Sequence, residues 1–93
     1  MCRNIRVLHG FEPPTTMQEI HDAALQYVRK VSGHTKPSHA DQEAFDHAVE
    51  EVAHATAHLL GVLHPAKHVR TREGEKEKAR ERWRKREARI AGK

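Results

Sequence analysis

The sequence predicts an all-α fold: a helical hairpin with a short extended N-terminal segment, completed as a dimeric helical bundle and followed by a basic tail. Three observations carry that expectation. Two stretches of the 93-residue chain repeat apolar residues at three- and four-residue intervals. Both are flanked by residues that start and stop helices. Past residue 65 the apolar stripe ends and Lys and Arg take over.

The opening "NIRVL" alternates apolar and polar residues and puts Ile5 and Val7 on one side of a short extended segment. Pro13 and Pro14 fix φ and keep the approach to the first helix extended. Thr16 and Glu19 form a T-x-x-E capping box. Met17, Ile20, Ala24, Val28 and Val31 then recur at helical spacing, and Gly33 is a natural C′ stop. The first helix is expected over Met17 to Ser32.

In the connector "GHTKPSH", Ser38 is placed to accept from the backbone N–H of Asp41 and cap a second helix. Phe45, Ala48, Val49, Val52, Thr56, Leu59, Leu60 and Leu63 draw one apolar stripe before Pro65 closes the helix. That stripe exceeds what two helices can hide. A second copy, or the N-terminal segment, is expected to cover the remainder. The tail "EGEKEKARERWRKREARI" is rich in helix formers, with expected ion pairs Glu75–Lys78, Glu77–Arg80 and Glu81–Lys85. Its apolar seam is only Ala79, Trp83 and Ile90, so a solvated or fluctuating helix is expected. The chain thus divides into a hairpin domain over 1–65 and a tail over 66–93.

The net charge of +4 joins two unlike parts. Residues 1–65 carry five Lys and Arg against eight Asp and Glu, a balance of −3, whereas residues 66–93 carry twelve against five, a balance of +7. Such a tail seeks an acidic partner, nucleic acid or an acidic protein. Its contact residues are expected to be Arg80, Arg82, Trp83, Arg84, Lys85 and Arg86, cations for phosphates and one aromatic for stacking. No apolar run reaches the roughly 20 residues of a membrane span. The charged opening lacks the apolar core of a signal peptide. A cytoplasmic protein with no membrane contact is expected.

The stretches "MCRNIR", "FEPPTT" and "LQYVRKVSGHTKPSHADQEAF" resemble a small bacterial family, domain of unknown function 2277, over roughly residues 1–63. The resemblance implies a compact, mainly helical bacterial protein and implies no reaction, cofactor or partner. The histidine load departs from the family pattern, which leads one to expect an aromatic at His34. The basic tail is expected to lie outside the resemblance.

Three further clusters can be weighed. Cys2, the single cysteine, reads foremost as a small packed side chain. Removal of Met1 would instead free an amine–thiol chelate for a soft metal or a thiol nucleophile. His47, His54 and His58 share one face of the second helix, opposite the apolar stripe, and read as a solvated surface rather than a metal site. Arg29, Lys30, Lys36 and Ser38 gather around the connector as a candidate anion site. The alternative is that they serve only as helix-end charges and a cap. There is no nucleophile elbow, P-loop, dinucleotide glycine pattern or H-E-x-x-H, so an enzyme is not favoured and no cofactor is expected. The expected function is a binding module whose tail holds nucleic acid or another acidic partner while the hairpin forms a homodimer. An adaptor that docks another protein's helix is the first alternative, and a Cys2-centred metal or thiol enzyme the second.

Overall fold

The computed structural model describes residues 4–65 and 67–91, so Cys2 and Arg3 lie outside the described residues. Its elements are α1 (Met17–Ser32), a single 3₁₀ turn (His39–Asp41), α2 (Gln42–Val62) and α3 (Arg72–Ala91). The class is all-α, with no strand among the described residues.

The start and stop signals of α1 act as expected. The Glu19 N–H donates to the Thr16 hydroxyl at 3.2 Å, and the Thr16 N–H donates to the Glu19 carboxylate at 2.9 Å. At the other end Gly33 takes φ 74°, and its N–H donates to the Arg29 carbonyl at 3.0 Å. A Cβ at Gly33 would meet nothing within 4 Å, so the requirement for glycine is the left-handed backbone alone.

The start of α2 corrects the sequence expectation. Ser38 makes no side-chain cap. Its hydroxyl donates to the Asp41 carboxylate at 3.1 Å, while the Asp41 N–H is taken by the Ser38 backbone carbonyl at 3.0 Å. That i→i+3 bond makes the 3₁₀ turn, and the α-helix begins only at Gln42.

Ile20, Ala24 and Val28 of α1 lie at four-residue intervals and bury against Val49 and Ala53 of α2. Ala24 and Ala53 let the two backbones approach. Phe45, Ala48, Val52, Ala57 and Leu60 pack around this core, whereas Leu59 and Leu63 at the end of the expected stripe are exposed. Leu8 is also buried. The N-terminal segment therefore does cover the hairpin, but with Leu8 rather than Ile5 and Val7, which stay exposed. A short stretch with no sheet partner has no pleat to enforce alternation, so parity did not decide which side chain turned in.

Beyond α2 the chain doubles back along the N-terminal segment. The Arg70 N–H donates to the Gly10 carbonyl at 2.8 Å, and the Glu12 N–H donates to the Arg70 carbonyl at 2.9 Å. From Lys76 onward the described side chains of α3 are exposed. The radius of gyration, 16.7 Å, exceeds the roughly 13 Å of a compact 100-residue domain. The accessible surface, 7788 Å² for 10.7 kDa, exceeds the roughly 5,500 Å² expected of a compact monomer of that mass. The excess reflects a helix standing off the hairpin and apolar side chains left in water.

Candidate nucleic-acid interface

The basic helix is attached to the hairpin through its first residue. The Arg72 guanidinium grips the Glu19 carboxylate at both oxygens, Nη2 to Oε1 at 2.7 Å and Nε to Oε2 at 3.0 Å. It also donates to the carbonyls of Pro13 (2.8 Å) and Pro14 (3.2 Å) and lies 5.3 Å from the centre of the Phe11 ring. Arg6 adds a longer contact to Glu19 at 3.4 Å. One carboxylate therefore closes the capping box of α1 and fixes the origin of α3. The hydrogen bonds from Arg72 foremost, with that from the Thr16 N–H, hold Glu19 at a pKa of about 2, well below its ordinary 4.5. Glu19 in turn raises the Arg72 pKa above its ordinary value.

Neighbouring contacts reinforce this latch. The Arg70 guanidinium donates to the His9 carbonyl at 2.8 Å, and His9 Nε2 donates to the His64 carbonyl at 2.9 Å. The Thr71 hydroxyl accepts from the Gly74 N–H at 2.9 Å, capping α3. Sequence reasoning missed this junction. Thr71 followed by the acidic Glu73 and Glu75 was the available signal for a helix start at Arg72. Nothing local marked Arg72 as the partner of Glu19, 53 residues away.

Past the latch, α3 is a charged rod. Ion pairs join Glu75 to Lys78 (3.3 Å), Glu77 to Arg80 (2.8 Å) and Glu81 to Arg84 (3.0 Å). Glu77 also approaches Arg84 at 3.8 Å. The pair expected between Glu81 and Lys85 is replaced by Glu81–Arg84, because the longer, forked arginine reaches the carboxylate one residue closer. Among the six expected contact residues, Arg80 and Arg84 are thus already paired with carboxylates. Arg82 and Lys85 have no carboxylate partner among the described residues, and the Arg86 guanidinium sits 6.0 Å from the Trp83 ring centre. Trp83 is 57% exposed.

The connector cluster stays on the surface. The Nε of Arg29 donates to the Thr35 carbonyl at 3.1 Å and braces the loop, while Lys30 and Lys36 are exposed. Ser38 faces the Asp41 carboxylate, a negative neighbour for any anion held there. His47, His54 and His58 are exposed, with His47 Nδ1 3.1 Å from Glu51. Two apolar hollows flank the hairpin. One of about 430 Å³ lies beneath Leu8, Phe11, Met17 and Leu60. The other, of about 350 Å³, lies among Tyr27, Val31, Phe45 and Val52. No helix among the described residues is long and apolar enough to cross a membrane.

The family model described as "Uncharacterized conserved protein (DUF2277)" matches residues 1–78. The chain belongs to this family. The match runs past the hairpin, through Arg70, Arg72 and the first turns of α3, so the start of the basic segment lies inside the family rather than outside it. It ends before Arg80, leaving the last part of α3 beyond it. No curated protein and no solved structure matches the chain.

Proposed function

We propose that the chain is a non-enzymatic binding module of the bacterial cytoplasm: α3 contacts nucleic acid, and the hairpin anchors α3 and mediates self-association. The observation that carries this reading is the union of a fixed origin with a free, cation-rich shaft. Arg72 ties the first turn of α3 to Glu19, and the side chains described from Lys76 onward stand in water. A tethered polycation releases counterions from a phosphate backbone without any need for a closed pocket. Self-association is supported by the exposed Tyr27, Val31 and Leu63 and by the large accessible surface.

The apolar hollow among Tyr27, Val31, Phe45 and Val52 favours a second reading, an adaptor that docks the apolar face of another protein's helix. The two readings separate on shortening the chain after Lys78. This change keeps Arg70, the Thr71 cap and the Arg72 latch. In fluorescence anisotropy with a labelled oligouridine at low salt, the shortened chain is expected to bind at least tenfold more weakly, having lost most of its phosphate-neutralising cations. Equal binding by both chains would take the shaft of α3 beyond Lys78 out of the function.

A further inference from the structure

The ion pairs divide α3 into unlike faces. At about 100° per residue, Lys78, Arg82, Lys85, Arg86 and Arg89 fall within an arc of about 100°, at spacings of three or four residues. Within that arc Arg82, Lys85 and Arg89 have no carboxylate partner among the described residues, and Lys78 alone has one, Glu75. The flank on one side of the arc holds Glu77 and Glu81 with the arginines they neutralise, Arg80 and Arg84. The flank on the other side holds Ala79, Trp83 and Ile90, with Trp83 and Ile90 57% and 68% exposed, and beyond Trp83 come Lys76, near the start of the helix, and Glu87.

We infer that α3 holds a single polynucleotide strand, its phosphates along Lys78, Arg82, Lys85 and Arg89 and its bases over the Trp83 flank. The inference rests on the function proposed above and adds which face acts and which form of nucleic acid it takes. From Lys78 to Arg89 the stripe is about 16 Å long, the reach of a few successive phosphates. A helix lying in a duplex groove meets phosphates along both flanks. Here one flank presents Glu77 and Glu81, which repel phosphate, and the other an exposed indole and isoleucine with the single cation Lys76 at its N-terminal end, too little to follow a second backbone. A lone strand needs phosphate contacts on one line only. Its bases then lie to one side, where Trp83 supplies a stacking face and Arg86 beside it a planar cation.

The test uses full-length chains carrying R82Q/R89Q or R80Q/R84Q. Each removes two charges, so the long-range field falls equally and the difference between them reads the contact face. Glutamine is close to arginine in helix propensity, so α3 is retained. Binding is measured to a labelled oligouridine and to a duplex of the same length. R82Q/R89Q is expected to weaken strand binding about tenfold or more and to lower the log–log salt slope by roughly 1.4, two phosphate contacts at about 0.7 each. R80Q/R84Q is expected to cost about threefold or less, through the field alone. Trp83 emission is expected to change with the strand and not with the duplex. Equal losses from the two variants would overturn the assignment of the face. Tighter binding of the duplex with unchanged Trp83 emission would overturn the assignment of the strand. Failure of the unmodified chain to bind either probe is a different result, and it would remove the proposed function itself.

Discussion

Ile20→Ala is expected to leave the hairpin largely unfolded at physiological temperature. Ile20 is 5% exposed and sits where α1, α2 and Leu8 meet. Truncating a buried isoleucine to alanine costs about 2–5 kcal/mol through lost transfer free energy and the cavity left behind. A single small core rarely supplies more than about 3–5 kcal/mol in total, and among the described residues this one has six buried, two of them alanines. The loss therefore rivals the whole. Urea melts followed by far-ultraviolet circular dichroism should place the midpoint about 2 M lower or more, at a slope of about 1 kcal/mol/M, leaving little or no folded baseline. Val62→Ala, in α2 but 61% exposed, should change stability by no more than about 0.5 kcal/mol. Similar melts for the two variants would refute the packing described.

Arg72→Gln is the second large effect, and it has a pH signature. The change removes both contacts to Glu19, both proline carbonyl contacts and the cation over Phe11. The melting temperature should fall by about 5–10 °C, since losses of this kind move a small domain by several degrees. Amides in the first turn of α3 should lose hydrogen-exchange protection. Glu19 is held at about 2 against an ordinary 4.5, so between these values the unfolded chain binds more protons than the folded one. Stability from the latch is therefore complete above about pH 4.5 and is lost as the pH falls towards about 2. In Arg72→Gln the Glu19 carboxyl reverts towards its ordinary value, and the steep acid limb between those limits should flatten. Arg80→Gln, which touches only Glu77 on the solvent face, should keep it. Superimposable acid limbs for Arg72→Gln and the unmodified chain would show that Glu19 and Arg72 are not coupled in solution.

The fold was most legible where a signal is local and has one physical outlet. Thr16, Glu19 and Gly33 set both ends of α1 because the orphan N–H and carbonyl groups there have no better partners. Ser38 shows the opposite case. The same hydroxyl can cap a helix or donate to a neighbouring carboxylate, and Asp41, close at hand after Pro37, captured it. Leu8 was hidden because the burial of an irregular segment depends on what the rest of the chain leaves open. The cationic character of α3 was plain from composition. Which cations are free was not, since that turns on whether each glutamate reaches three or four residues ahead. Arg72 was the least legible of all. Its partner lies 53 residues away, and no spacing rule within a helix extends that far.

The central claim is that α3, fixed at Arg72 and free beyond it, is a polyanion-binding element. Its most direct test is the affinity of the full-length chain for a labelled oligouridine across a series of KCl concentrations. Four phosphate contacts predict a log–log slope near −3, about −0.7 for each contact on a single strand. An affinity indifferent to salt, or no binding at the lowest salt, would contradict it.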